Sequence, residues 1–408
     1  MSPLPVVIFT VFLDLVGFGI LIPVIPQLLA NPHSEFYLLP SGFTLSQGYI
    51  MLGFLVAIFP FMQFIATPIL GQLSDKFGRK KILAISLIGT CLSYLIFAIG
   101  IITKNIPLLF LSRGFDGITG GNISVAQAAI ADVTTKENRT KAFGLIGAAF
   151  GFGFIIGPYI GGKLSDPSFV SWFNAATPFW FAATLSAINI SLVLLFFPET
   201  NMYRQHNLKI NWIKSVKNII HAYSLQNLRS LFVVNFLFQG GFAFYTTFGP
   251  VFLINRFHFT SGNIGDFFAY AGMWIAITQG LITRKVSAKL NEMQVLRFSL
   301  FFCGVVLFCY FIPQVWWQLL FVAPFFAIFM GLSQANMAGL ISRLADPKIQ
   351  GEVLGINFSV QALAQSIPAA VSGFIAANMG SNTPVIVSAS VMMFAATIFW
   401  FSFRKSKV

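Results

Sequence analysis

Gly71-Gln72-Leu73-Ser74-Asp75-Lys76-Phe77-Gly78-Arg79-Lys80-Lys81 stands between two long apolar runs, 46–72 and 80–101. A helix that crosses a bilayer needs about 20 mostly apolar residues, so each run is long enough to span and the charged stretch reads as a short loop between two membrane helices. Outward from it the same pattern recurs. Runs at 5–30, 107–132, 141–163, 174–198, 229–255, 262–284, 293–312, 316–343, 352–378 and 383–403 bring the total to twelve spans. The first run opens without basic residues, is too long for the apolar region of a signal peptide and carries Asp14 in its middle, so it is expected to be span 1 of the mature protein.

Composition agrees with a lipid-embedded chain. Of 408 residues, 56% are hydrophobic and 9% charged, with a mean hydropathy of +0.80, against about 25% charged in soluble domains. The 49 Phe exceed what one soluble core uses and are expected to meet lipid or line a cavity. Cys91, Cys303 and Cys309 lie in apolar runs without ligand spacing and read as small buried residues. No metal cluster, nucleophile–base arrangement or phosphate-cradling loop is evident, which argues against an enzyme. No cofactor is expected.

A net charge of +13 would suggest nucleic acid if the cations shared one solvated face, but they fall in alternate loops. With the N-terminus inside, the inner loops and tail hold 20 of the 25 Lys and Arg residues, and the outer loops hold Lys104, Lys163 and Arg256. Arg297 lies just inside span 9 and Arg113 within span 4. The positive-inside bias accounts for the charge and places both termini in the cytoplasm. The longest polar interval, 199–228, separates an N-terminal six-span half (1–198) from a C-terminal one (229–408) and reads as a cytoplasmic linker anchored to anionic headgroups, with an amphipathic helix as the alternative. The halves echo each other. An offset of 224 pairs Phe12 with Phe236, Leu13 with Leu237, Gly17 with Gly241, Phe18 with Phe242, Pro26 with Pro250 and Leu29 with Leu253, as expected of a parallel repeat.

The stretch 71–81, a Gly followed four residues later by Asp75 and then by Gly78-Arg79-Lys80, resembles the loop signature of the major facilitator superfamily. Span 5 carries Gly144, Gly153, Gly157, Pro158, Gly161 and Gly162, similar to the antiporter signature of that superfamily's drug:proton antiporters; the glycines read alternatively as helix packing alone. Span 4 carries Arg113-Gly114-Phe115-Asp116-Gly117, similar to the family's Arg-to-Gly signature with Asp116 where Gln is more usual. With Leu13-Asp14-Leu15-Val16-Gly17-Phe18-Gly19 and Gly117-Ile118-Thr119-Gly120-Gly121, the first half most resembles the tetracycline:proton antiporters. Those carriers have an acidic residue in span 3 where this chain offers Ser93 within 87–94. The resemblance implies that Asp75 faces the N-terminus of span 11, that Arg79 meets Asp132, and that Gly71, Asp75, Gly78, Arg79, Lys80 and Asp132 form a cytoplasmic gate.

Only Asp14 and Asp116 of the 12 acidic residues lie deep within spans. A charge there is costly and usually functional. Arg113, three residues before Asp116, shares its helical face. Asp14 and Asp116 are therefore expected to carry coupling protons, with Arg113 tuning Asp116; a static Arg113–Asp116 pair is the structural alternative. Asn122, Gln239, Tyr245, Trp274, Gln334 and Gln361 are candidates for a substrate cavity, with interhelical packing as the competing role. The expected fold class is an all-α membrane protein with twelve transmembrane helices in two pseudo-symmetric six-helix bundles. The expected function is proton-coupled secondary transport, exporting a small amphipathic or hydrophobic compound by alternating access from a monomer in the plasma membrane. A proton-coupled importer of a metabolite or siderophore, and a non-transporting receptor or scaffold, are the other readings. The partners expected are a small-molecule substrate, protons and the lipid bilayer, with no nucleic acid and no metal.

Overall fold

A computed structural model describes residues 4–134, 136–202, 204, 208–346 and 349–403. Side chains at 136–144, 146–148, 150, 227 and 351 lie outside that description. So do Lys348, Arg404, Lys405, Lys407 and His206, and with them part of the charge pattern used for orientation. Among the described residues the chain is helical, without strands.

Each expected span is found as a helical segment. The first three are α1 (Leu4–Leu29), α2 (Leu45–Phe77) and α3 (Arg79–Ile102). Span 4 is two helices, α4 (Ile106–Thr119) and α5 (Ile123–Val133), joined by a tighter turn at Gly120–Asn122. Spans 5 and 6 are α6 (Lys136–Leu164) and α7 (Thr177–Phe196), and the linker contributes α8 (Lys214–Ser224). Span 7 is α9 (Gln226–Phe257). Span 8 is α10 (Ser261–Ile277) and α11 (Thr283–Ser287) on either side of a π-turn at Thr278–Ile282. The chain then forms α12 (Glu292–Cys309), α13 (Leu319–Leu344), α14 (Gln350–Met379) and α15 (Thr383–Ser402). Nine helices among the described residues are long and apolar enough to cross a membrane; spans 4 and 8, whose helices are interrupted, and span 5, many of whose side chains lie outside the description, are not among them.

Local chemistry fixes the ends. Asn105 caps α4 by accepting the Leu108 N–H, and Asn291 with Gln294 forms a reciprocal cap on α12. Gly78, at φ 102°, separates α2 from α3 in a backbone conformation open to glycine. Prolines at 23, 26, 60, 68, 158, 250, 324 and 368 lie inside helices, tolerated where neighbouring helices re-satisfy the freed carbonyls. The linker helix α8 is amphipathic: Val216, Ile220 and Tyr223, with Trp212 and Ile213 just before it, are exposed.

The chain divides into two compact units. Unit 1 comprises 1–43, 58–215 and 260–269; unit 2 comprises 44–57, 216–259 and 270–408. In unit 1, α1 lies backbone to backbone on α6: a methyl at Gly157 would stand 2.7 Å from the Val16 carbonyl oxygen and 2.8 Å from Gly19 Cα. Gly153 and Gly161 meet Leu15 and Ile20 in the same way. The span 5 glycines thus seat the helix that carries Asp14. Gly162 meets Gly265 at the start of α10, and Pro158 covers Gly19. The surroundings of Gly144 lie outside the described residues. Below Asp14, Val7, Val11, Ile82, Leu83, Leu87, Val193 and Phe197 form an apolar core. In unit 2, α9 packs against α14 and α15, and α12 against α13 and α15.

Candidate functional site

Asp14 lies ten residues into α1 and Asp116 ten residues into the oppositely running α4, each about 15 Å deep at 1.5 Å per residue, half the thickness of a bilayer core. Asn122 Nδ2 donates to Asp14 Oδ2 at 2.8 Å. The tighter turn that interrupts span 4 delivers this amide, so Asn122 partners Asp14. Arg113 Nη1 donates to Asp116 Oδ2 at 2.6 Å, with both side chains buried. The guanidinium also stacks over the Phe59 ring, 4.4 Å from its centroid, and its Nε makes no hydrogen bond among the described residues. A buried ion pair is costly to break and is held by its extra contacts.

Two further residues of α3 join the cluster. The Thr90 hydroxyl reaches the Asp116 carboxylate and lies 3.1 Å from the Thr119 hydroxyl. Tyr94, one turn on, packs its hydroxyl against Gly17 and lies within electrostatic reach of Asp14, Asp116 and Arg113. Ser93, by contrast, donates to Gly89 O at 2.9 Å, and its own carbonyl accepts from Ser112. The α3 face that meets the carboxylates thus carries Thr90 and Tyr94, a spacing of four that marks one helical face. That spacing is the signal the sequence carries for this face.

The loop motif forms a second cluster in unit 1. Arg79 begins α3, where the helix dipole disfavours a cation, and three carboxylates offset this. Its Nη1 lies 2.7 Å from Asp75 Oδ1, its Nε 3.1 Å from Asp132 Oδ2, and its backbone N–H donates to Glu199 Oε1 at 2.9 Å. Asn201 donates to the Asp75 carbonyl at 3.0 Å and Thr200 to Asp132 at 3.3 Å. The Glu199 carboxylate fills the space beside Gly78 that a Cβ would occupy. Glu199 is the residue that the sequence did not single out, because the polar interval it opens reads as linker. Gly71 packs near the Ser124 hydroxyl, and Lys80 sits half-buried in the first turn of α3.

Of the cavity candidates, Asn122 belongs with Asp14 in unit 1. In unit 2, Tyr245 is buried against Phe326 and Tyr310, with ring centroids at 4.9 and 5.8 Å, so its ring packs the core. Trp274 is half-buried, its Nε1 without a hydrogen bond among the described residues. Gln239, Gln334 and Gln361 are half-buried. The described residues hold no group of three or more His, Cys, Asp or Glu placed to bind a metal.

Residues 7–368 match the family described as the Major Facilitator Superfamily. The chain is 32% identical over 360 residues to the tetracycline resistance protein, class H, of Pasteurella multocida, covering 87% of this chain and 84% of that protein. It is 28% identical over 396 residues to multidrug resistance protein 2 of Bacillus subtilis (strain 168), covering 95% and 92%. Among solved structures, the human organic anion transporter MFSD10 superposes with a TM-score of 0.73 at 21% identity, covering 98% of this chain and 99% of that one, which establishes the fold.

Proposed function

Since this chain belongs to the major facilitator superfamily and is a multi-pass membrane transporter and not an enzyme, we propose that the Asp14 and Asp116 carboxylates couple inward proton flow to export of a small amphipathic or hydrophobic compound. The observation that carries this reading is the pair of mid-membrane carboxylates with different chief partners: the Asn122 amide on Asp14 and the Arg113 guanidinium on Asp116. An amide can accommodate a protonated or an ionised carboxyl, whereas a guanidinium favours the ionised one. Asp14 is therefore the group that gains and loses a proton, and Asp116 with Arg113 is the charge pair that responds to it.

The named activities of the relatives, tetracycline and multidrug resistance, support a flat or amphipathic organic substrate. Ser93, used within its own helix pair, supports a multidrug range over tetracycline alone. The six-span halves 1–198 and 229–408 are the moving parts of alternating access, and 199–228 is the linker between them. The cluster of Asp75, Arg79 and Asp132, with Gly71, Gly78 and Lys80, is the cytoplasmic gate. The protein acts as a monomer in the plasma membrane with both termini in the cytoplasm.

The test is transport in inverted membrane vesicles with and without an imposed pH gradient. Wild type accumulates substrate only with the gradient. Asp14→Asn, inserted at normal levels, loses accumulation while retaining substrate exchange. Gradient-driven accumulation in that variant would overturn the reading.

A further inference from the structure

Beside Asp14, the packing of α1, α3 and α7 leaves a cavity of about 10 Å³ lined by Asp14, Gly17, Thr90, Tyr94, Ser186 and Asn189. That is about the volume of one water molecule's centre of motion. Asn189 is 1% exposed. Its Oδ1 lies 3.0 Å from the Thr10 hydroxyl, and its Nδ2 makes no hydrogen bond among the described residues. The single Thr10 hydroxyl proton also has the Val6 carbonyl at 2.9 Å and cannot serve both acceptors. Turning the amide over satisfies Thr10 with Nδ2 and leaves Oδ1 on the cavity side. Either way, one polar atom of Asn189 is left without a protein partner, which is costly in an apolar setting. Ser86, one turn from Thr90 along α3, is another buried hydroxyl without a hydrogen bond among the described residues, though it does not line the cavity. The apolar core of Val7, Ile82, Val193 and Phe197 closes the seam beyond it.

We propose that this seam holds one internal water molecule, bonded to the Asn189 amide and donating to the Asp14 carboxylate, and that Asn189 thereby positions the coupling proton. The inference rests on the proton-coupling role of Asp14. The site has the polar partners that such a water needs, since Tyr94 and Thr90 line it along with Asn189 and Asp14. The other groups that act on Asp14 are Asp116 from α4, itself paired with Arg113, and Tyr94 from α3. On α5 the one charged residue, Asp132, is engaged by Arg79. The ionisable residues of α6 lie near its ends, at 136–141 and at Tyr159 and Lys163, and α7 has none. The Asn189–water pair is then the neutral element that supports the ionised form of Asp14.

Infrared difference spectra between low and high pH, recorded on the protein in lipid, test this directly. The Asp14 carboxyl band is the one lost in Asp14→Asn. In wild type, exchange into H₂¹⁸O should shift an internal-water band that appears and disappears with the Asp14 titration. In Asn189→Leu, close in size, that water band should vanish, the carboxyl band should move, and the midpoint should shift to higher pH, because a carboxylate stripped of a donor holds its proton more tightly. Asn189→Ser, which keeps a polar group on the cavity, should stay near the wild-type midpoint. An isotope-insensitive titration in wild type overturns the proposal without any variant, and an unchanged band and midpoint in folded Asn189→Leu does the same. Absence of any Asp14 band in wild type would instead defeat the proton-coupling reading itself.

Discussion

The two units are built from the same kind of helices and differ in what they bury. Unit 1 places Asp14, Asp116 and Arg113 at mid-membrane depth with Thr90, Tyr94 and Asn122 around them. Unit 2 buries neutral pairs: Asn235 donates to Asn357 at 2.8 Å and Ser333 to Ser299 at 2.8 Å. Its ion pairs among the described residues, Arg343–Glu292 and His221–Glu352, lie at the surface. The offset of 224 that relates spans 1 and 7 makes the contrast local, because Asp14 corresponds to Phe238, which is fully buried. Gly17 and Pro26 recur as Gly241 and Pro250, whereas the acid of span 1 is replaced by an aromatic ring. The lesson is that a pseudo-symmetric frame can bury ionisable groups on one side only.

The largest expected effects test that contrast at its paired positions. Asp14→Asn should abolish gradient-driven transport with little change in thermal stability, because it removes the ionisable group and keeps the shape. Phe238→Ala should do the reverse: a loss of about 3–5 kcal/mol on truncating a buried Phe, read as a lower melting temperature, with the pH dependence of transport unchanged in the protein that remains folded. If Phe238→Ala altered coupling as Asp14→Asn does, the asymmetry drawn between the units would break. Asn235→Ala comes next. It leaves the Asn357 amide buried without its partner, at a cost of about 1–3 kcal/mol, and should lower stability without moving the pH profile.

Much of the frame was legible because a membrane span declares itself by length and apolarity alone. Twelve runs were readable from composition, and the family likeness from a handful of glycines and charges in 71–81 and 144–162. Helix interruption was less legible: nothing in the hydropathy of 107–132 or 262–284 announces the tighter turn at Gly120–Asn122 or the π-turn at Thr278–Ile282. Yet it is the first of these that brings Asn122 to Asp14. Candidate site residues stand out in a sequence where chemistry is rare, as with an acid inside a span, and are obscure where it is common. Thr90, Tyr94 and Asn189 are ordinary polar residues in membrane helices, and only packing separates those that face a carboxylate from those that bond their own backbone, as Ser93 does. Glu199 was hidden for another reason, since its role depends on the linker folding back onto Gly78 and Arg79.

The smallest expected effect asks whether the carboxylate chemistry of unit 1 extends to its rim. Asp166, in the loop after α6, accepts from the Ser168 N–H at 2.9 Å, the Ser168 hydroxyl at 2.6 Å and the Thr260 hydroxyl at 3.0 Å. Partial burial pushes its carboxyl up, but the donors on Ser168, Thr260 and the Gly262 backbone together outweigh that and hold it below the ordinary carboxylate range. A carboxyl held low stabilises the fold above its unfolded value, about 3.9, and loses that contribution as pH falls through its lowered folded value. Asp166→Asn should therefore lower stability slightly at neutral pH, within the ±0.5 kcal/mol typical of about every surface substitution, and the gap from wild type should close as the pH falls below about 4. Transport and its pH profile near neutrality should be unchanged. A rim carboxylate that tied a loop without touching coupling would confine the proton chemistry of unit 1 to its interior; a displaced transport profile in this variant would extend it outward to the α6–α10 contact.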